Sequence, residues 1–224
     1  MGTLVRVEGV TKIYEQGGVP VHALRGVDLS VAPGEFLALV GPSGSGKTTL
    51  LNLMGGLDRP TAGSVWVGEE EVSALSRSAL SRFRLRNIGF VFQEYNLIPV
   101  LTVLENVEYV MLLQGIREAE RRRRALALLE EVGLAGMQHR RPRELSGGQQ
   151  QRVAVARALV AEPLLVLADE PTANLDSETG AALLDLMRRL NERKGVTFVF
   201  STHDPMVMAR ARRVVRLKDG RVVA

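Results

Sequence analysis

The sequence predicts an α/β protein with a largely parallel core sheet, an antiparallel β element near its N-terminus and an inserted helical subdomain. Short β-type runs fill the first 31 residues, and apolar strands then alternate with amphipathic helical segments. Long helical periodicity without β-branched clusters occupies 94–162. Alternating strands and helices are typical of a parallel sheet covered by helices. We expect a single domain, 1–224, whose core comprises 1–93 and 163–224.

The N-terminal element is predicted from two β-type runs. Residues 4–10 alternate apolar and polar side chains, Ile13 and Tyr14 extend the run, and 23–31 resumes it. Gly17, Gly18 and Pro20 separate the two runs, and such residues are typical of turns. The pattern predicts a small antiparallel pair, with Tyr14 in the early turn.

The remaining elements follow from periodicity and from their glycine and proline boundaries. Further strands are predicted at 35–40, 63–68, 88–92, 164–168 and 196–201, and 214–223 is expected to fold back at Asp219-Gly220. Helices are predicted at 48–54, 78–86, 102–114, 118–132, 147–161 and 178–194. The helices between 102 and 161 belong to the expected helical subdomain.

Composition excludes several classes of protein. Hydrophobic residues make up 46% and charged residues 24%, which is typical of a packed globular protein. The absence of cysteine excludes disulfides, thiolate zinc sites and a cysteine nucleophile. The net charge of +4 does not by itself indicate a nucleic-acid surface. Residues 1–9 lack a secretory signal, and apolar runs such as 36–40 are too short to span a membrane. We therefore expect a cytoplasmic protein that another subunit would anchor at a membrane.

A glycine-rich loop follows the strand predicted at 35–40. It reads Gly41-Pro42-Ser43-Gly44-Ser45-Gly46-Lys47-Thr48 and matches the phosphate-binding pattern G-x-x-x-x-G-K-[ST]. The glycines let successive backbone N–H groups point at phosphate oxygens, and the dipole of the next helix adds to that field. Lys47 is expected to reach the β- and γ-phosphates, Thr48 to bind Mg²⁺ and Thr49 to line the site. The expected ligand is a nucleoside triphosphate.

A second element of such a site is the apolar strand at 164–168, which ends in Asp169 and Glu170. Ligands of parallel sheets lie at the carboxyl ends of the strands. Asp169 is expected to hold Mg²⁺ through water, and Glu170 is expected to be the general base for the attacking water. A strand that leaves the core through acidic residues is the alternative interpretation.

The segment Leu145-Ser146-Gly147-Gly148-Gln149 distinguishes between the classes of protein that contain a P-loop. A serine N-cap followed by two glycines exposes N–H groups and a hydroxyl at the positive end of a helix, which makes a second anion site. One chain has one γ-phosphate pocket, so this second site is expected to serve a partner's nucleotide. With the P-loop and the acidic strand, the chain resembles the ATP-binding subunits of ABC transporters, whose signature motif reads LSGGQ. The resemblance implies a RecA-like core.

That resemblance implies roles for four more residues. Gln93 matches the Q-loop glutamine that contacts Mg²⁺ and relays nucleotide state, and His203 matches the switch histidine that donates to the γ-phosphate. Asp176 matches the D-loop, and Tyr14 matches the aromatic residue that stacks on adenine. Taken singly, Gln93 reads as a solvated strand end, His203 as an ordinary loop or core histidine and Tyr14 as a packing residue.

Four segments are similar to the lipoprotein-releasing and macrolide-exporter branch of this family: 52–63, 88–93, 101–107 and 168–176. The sequence departs from that branch at Ala173, where glycine is usual, and at Glu94-Tyr95, where Ser-Phe is common. The resemblance implies a permease that docks near 93–107, where Tyr95, Leu97, Ile98 and Leu101 offer apolar contact. These side chains belong either to that contact or to the core of the helical subdomain.

The resemblance as a whole implies an ATPase in which two copies bind two ATP molecules head to tail and power a membrane permease for export or lipoprotein release. It implies no nucleic-acid partner and a location on the inner face of the membrane. The ATPase of a non-transporting membrane complex, of the cell-division type, shares the catalytic set and stays open as an alternative. A soluble ATPase acting on nucleic acid or the translation machinery usually needs two cassettes or a coiled-coil insertion. A small-molecule kinase leaves the LSGGQ segment unexplained.

Overall fold

A computed structural model describes residues 2–223. Ten strands are assigned in that range: β1 Val5–Gln16, β2 Val19–Val31, β3 Phe36–Val40, β4 Ala62–Val67, β5 Glu70–Glu71, β6 Ile88–Val91, β7 Leu165–Asp169, β8 Thr197–Thr202, β9 Arg213–Lys218 and β10 Arg221–Val223. Seven α-helices are assigned: α1 Lys47–Met54, α2 Arg77–Asn87, α3 Val103–Leu113, α4 Glu118–Glu131, α5 Gly147–Leu159, α6 Ser177–Lys194 and α7 Pro205–Arg210. Within 2–223, no helix is long and apolar enough to cross a membrane.

The strands form two sheets. The first is antiparallel, with the order β2-β1-β4-β5, and the second has the order β10-β9-β3-β8-β7-β6. In the second sheet β9, β3, β8, β7 and β6 run parallel, and only β10 is antiparallel to its neighbour. The carboxyl ends of β3, β7 and β8 therefore lie at one edge of this sheet, where the P-loop, the two carboxylates and His203 follow them.

The core lies on both faces of the parallel sheet because successive strand residues point to opposite sides. In β3, Leu37 and Leu39 face the cluster that contains α1, α2 and the antiparallel sheet. Phe36, Ala38 and Val40 face a second cluster, which contains apolar residues of α3, α4, α5 and α6. All five residues of β3 are buried, so the strand that ends at the P-loop is held from both faces.

The structure confirms the α/β class and the predicted parallel core, corrects one detail and adds two. Strand β1 continues to Gln16, so Tyr14 lies within a strand and not in a turn. Strand β4, predicted at 63–68, belongs to the antiparallel sheet, where it pairs with β1. Helix α7 was not predicted, because six residues are too few for periodicity to be visible, although Asp204 caps it and Pro205 opens it.

Candidate nucleotide-binding site

The P-loop connects β3 to α1, and its backbone at Gly46 lies close to the backbone of β2 at Ala23. Gly46 caps α1 with φ 102°, a left-handed conformation that favours glycine, and a Cβ there would lie 2.6 Å from the carbonyl oxygen of Ala23. The side chain of Lys47 is folded into the loop, where its Nζ donates to the carbonyls of Gly41 at 2.8 Å and Pro42 at 3.0 Å. Lys47 is only 7% exposed, so its charge is concentrated inside the loop.

Thr48 and Asp169 meet where the first turn of α1 approaches the end of β7. The hydroxyl of Thr48 donates to Oδ1 of Asp169 at 3.0 Å. Mg²⁺ prefers hard oxygen ligands, usually one or two from the protein with the rest from phosphates and water. Within 2–223, no three or more His, Cys, Asp or Glu side chains are grouped to hold a metal. The hydroxyl of Thr48 and the carboxylate of Asp169 supply two such oxygens, so the pair fits a magnesium ion held mainly by phosphates and water.

Glu170 and His203 are hydrogen-bonded to each other. Oε1 of Glu170 lies 2.8 Å from Nδ1 of His203, and its Oε2 accepts from the hydroxyl of Thr202 at 3.2 Å. A carboxylate only accepts hydrogen bonds, so this contact places the imidazole proton on Nδ1. Glu170 has φ 45°, a conformation that residues with a side chain rarely adopt and that is found often at functional sites. The carboxylate is thus held by Thr202, the last residue of β8, and by His203, which follows it.

One cavity of about 460 Å³ joins most of the predicted site residues. The predicted residues that line it are Tyr14, Ser43, Gly44, Ser45, Gly46, Lys47, Thr48, Thr49, Gln93, Glu170 and His203, and Ala173 lines it too. Gly41, Pro42 and Asp169 do not line it, but each accepts a hydrogen bond from Lys47 or Thr48. The fold therefore gathers residues from β1, the P-loop, the start of α1 and the connections that follow β6, β7 and β8 around one space large enough for a ligand.

Two predicted motifs lie outside that cavity. Ser146 caps α5 in a reciprocal arrangement with Gln149, whose backbone N–H it accepts at 3.3 Å. Neither these residues nor Gly147 and Gly148 line the cavity. Asp176 likewise caps α6, and the hydrogen bonds from the backbone and hydroxyl of Thr179 lower the pKa of its carboxyl. Ser146 and Asp176 are both exposed.

Three side chains that the sequence did not single out bond to residues around these motifs, two of them to backbone carbonyls. The amide of Asn174 donates to the carbonyl of Gln93 at 3.0 Å. The amide of Gln151, on α5, donates to the carbonyls of Phe92 at 3.2 Å and of Pro171 at 2.8 Å. Thr202, described above, is the third. The available signal was their adjacency to the motifs, since each lies within two residues of one, but adjacency does not reveal hydrogen-bond partners.

The segment that was expected to contact a permease is largely packed against its own chain. Tyr95, Leu97, Ile98 and Leu101 are half-buried, and Leu97 packs against the cluster of the helical side. Val100 is different, with 71% of its surface exposed. The packing of Leu97 agrees with the core interpretation for that residue, and contact with a permease stays a prediction for this segment.

A P-loop after a central strand, a carboxylate pair at a neighbouring strand end and a separate helix capped by Ser146 are the features of a nucleoside triphosphatase of the P-loop class. The family model described as "ABC transporter" matches residues 24–173. The chain is 52% identical to an uncharacterized ABC transporter ATP-binding protein of Thermotoga maritima, over 99% of this chain and 94% of that protein. The chain belongs to the ABC transporter family and is one of its ATPases.

Named relatives fall in the branch that the sequence resembles. The chain is 50% identical to the lipoprotein-releasing system ATP-binding protein LolD of Geobacter metallireducens, over the full length of both. It is 48% identical to the macrolide export ATP-binding/permease protein MacB of Syntrophobacter fumaroxidans, over 97% of this chain but 31% of that protein. A solved dimeric structure of the ATP-binding cassette MJ0796, in a post-hydrolysis state bound to ADP and Pi, matches with a TM-score of 0.90 at 45% identity. That match covers 98% of this chain and 97% of the solved one.

Proposed function

We propose that two copies of this ATPase bind two ATP molecules head to tail and that the resulting cycle powers a membrane permease for export or lipoprotein release. The observation that carries the proposal is the position of the Ser146 cap on α5. It is an exposed helix N-terminus outside the cavity that gathers the other site residues. A second anion site that its own chain does not use is explained if it binds the γ-phosphate of a partner's nucleotide.

In this proposal the P-loop binds the phosphates. Lys47 exchanges the carbonyls of Gly41 and Pro42 for phosphate oxygens, which are stronger acceptors for an ammonium group. Thr48 and Asp169, with Gln93, would hold Mg²⁺, which supplies charge neutralisation between the phosphates when bound. Tyr14 stacks on the adenine, and Thr49 lines the same pocket.

Hydrolysis is assigned to Glu170 and His203. The carboxylate of Glu170 orients a water molecule and accepts its proton, while His203 and Thr202 hold that carboxylate in place. Because Nδ1 of His203 is bonded to Glu170, the proposal assigns the other ring nitrogen, Nε2, to the γ-phosphate. Loss of the γ-phosphate removes the contact between the P-loop of one copy and the Ser146 cap of the other, and the dimer reopens.

The test is a Ser146→Arg substitution in a Glu170→Gln background, where ATP turnover is expected to be slow. We expect Ser146→Arg to abolish ATP-dependent dimers, because a bulky cation blocks the cap, while each monomer still binds ATP. Light scattering after gel filtration measures the dimers.

Ser76→Arg is the matched control. Ser76 caps α2 with similar backbone angles, and its hydroxyl accepts from the N–H of Ala79 at 3.3 Å. Ser76→Arg therefore removes a comparable helix cap and leaves α5 unchanged. Dimers that persist in the Ser146→Arg variant would contradict the proposed head-to-tail arrangement. Dimers lost equally with both substitutions would assign the effect to general destabilisation.

A permease partner at the inner face of the membrane is supported by the names of the relatives and by the surface next to Gln93. A cavity of about 240 Å³ lies between α2, β6, α3 and α5, and Phe90, Phe92 and Val110 are among its lining residues. Asn96 borders this cavity, and the exposed Val100 lies in the same connection between β6 and α3. The apolar side chains of this cavity, together with Arg86 and Arg157 in its lining, fit a short amphipathic segment of a membrane protein.

Val100→Glu tests this surface. We expect the variant to recover its permease much less efficiently in affinity capture from solubilised membranes, with its ATPase activity in isolation unchanged, because a carboxylate would be buried at the contact. Leu126→Glu, at an exposed apolar position on α4, is the matched control. Equal recovery of the permease by both variants would show that the permease contact lies elsewhere on the surface.

A further inference from the structure

The ring of Tyr14 is held by two charged side chains that no motif includes. Its hydroxyl donates to Oδ2 of Asp58 at 2.8 Å. Nζ of Lys12 donates to Oδ1 of the same carboxylate at 2.8 Å and lies 4.7 Å from the centre of the Tyr14 ring. One carboxylate thus binds both the edge of the ring and the cation over its face.

Only the aromatic member of this group reaches the nucleotide cavity. Tyr14 lines the cavity, whereas Lys12 and Asp58 do not. The ammonium of Lys12 lies over one face of the ring, so the opposite face is the one that a base would use. Tyr14 is 38% exposed and lines the cavity, so part of its ring is open to a ligand there.

The same group links the ring to the phosphate-binding helix. Asp58 lies in the turn that follows α1, and the P-loop lies at the other end of that helix. Lys12 also donates to the carbonyl of Arg59 at 2.8 Å, and the backbones of Thr11 and Thr61 are hydrogen-bonded at 2.8 Å. The turn at 58–61 is therefore fastened to β1, so the ring is fixed relative to α1 as well as to its own strand.

The protonation states match these contacts. Burial and the hydrogen bond to Asp58 raise the pKa of the Tyr14 hydroxyl above its usual value. Burial opposes ionisation of Asp58, but hydrogen bonds from Lys12 and Tyr14 hold the pKa of its carboxyl below the usual range. At neutral pH the phenol therefore keeps its proton, and the carboxylate that accepts it is charged.

We propose that Lys12 and Asp58 are positioning residues that hold the ring of Tyr14 ready for the adenine base. The inference rests on the proposed stacking role of Tyr14 and adds the two residues that make the ring rigid before ligand arrives. Immobilising a free side chain on binding costs affinity, and a ring that is already fixed avoids that cost. We therefore expect Lys12 and Asp58 to contribute to binding of the base and not to binding of the phosphates.

The test compares a ligand with a base and a ligand without one. MgADP and magnesium pyrophosphate are titrated calorimetrically into the wild type, Lys12→Met and Asp58→Ala, because neither ligand can be hydrolysed at a γ-phosphate. We expect each variant to bind ADP about 2- to 10-fold more weakly. We expect pyrophosphate affinity to be unchanged, which also reports that the P-loop remains folded.

Two further variants separate the possible outcomes. Asp185→Ala removes a carboxylate with a comparable contact, at 2.7 Å from Arg210, and should change neither affinity. Tyr14→Ala should weaken ADP binding about 5- to 100-fold, the range measured for stacking of bases on aromatic side chains.

If Tyr14→Ala weakens ADP binding while Lys12→Met and Asp58→Ala do not, the positioning inference is wrong and the stacking role stands. If Tyr14→Ala has no effect on ADP binding, the stacking role fails and the inference fails with it. If Lys12→Met and Asp58→Ala weaken ADP and pyrophosphate equally, the two residues are structural and do not position the base.

Discussion

A Glu170→Gln variant is expected to lose about 10²–10⁴-fold in ATP turnover while it still binds ATP. Glutamine keeps the size of the side chain, and its amide oxygen can still accept from Nδ1 of His203, but it cannot take a proton from water. Because the γ-phosphate then persists, we also expect ATP to trap a stable dimer. Phosphate release and light scattering with saturating ATP and Mg²⁺ measure the two effects.

The matched control for this prediction is Glu69→Gln, an exposed carboxylate in the turn between β4 and β5, which should change neither turnover nor oligomeric state. Normal turnover in the Glu170→Gln variant would remove Glu170 from the role of general base. A variant that stays monomeric at saturating ATP would count heavily against a dimer closed by nucleotide, even if turnover falls.

A Lys47→Ala variant is expected to bind nucleotide about 10- to 100-fold more weakly, the range for losing a hydrogen bond from a charged donor. Lys47 is buried in the P-loop and already directed at loop carbonyls, so it is placed to meet phosphate oxygens without a large rearrangement. Calorimetric titration with MgADP measures the loss, and titration with adenosine, which lacks phosphates, should show none.

Lys194→Ala is the control, because Lys194 is a cation at the end of α6 that pairs with Glu131. Its affinity for ADP should equal that of the wild type. Unchanged ADP affinity in the Lys47→Ala variant would remove Lys47 from phosphate binding and would weaken the assignment of the whole loop.

The chemistry of the site was readable from the sequence where a motif is local. The P-loop, the two carboxylates at the end of β7 and the Ser146 cap are each contiguous in the sequence. Their residue types therefore predict the turn, strand end or helix cap that they form. His203 and Gln93 were assigned only through the resemblance, since a single histidine or glutamine carries no pattern of its own. The structure places both against the same cavity as Lys47.

What sequence reasoning missed are contacts between segments that are distant in the chain. Lys12 and Asp58 are separated by 46 positions, and Asn174 and Gln93 by 81. Such pairs depend on the crossing of β1 over the turn after α1, and on the approach of the loop after β7 to the end of β6. Neither geometry is encoded in a short window, which is also why β4 was not assigned to its sheet.

The position of β3 in its sheet has a consequence for how the chain is made. Its register pairs Phe36 with Phe198, and its other neighbour, β9, lies later still. At ribosomal rates of about 5–20 residues per second, the apolar strand that ends at the P-loop waits on the order of 10–30 s for either neighbour. The sheet around the P-loop therefore cannot form until β8 or β9 has been synthesised, although the P-loop itself is made much earlier.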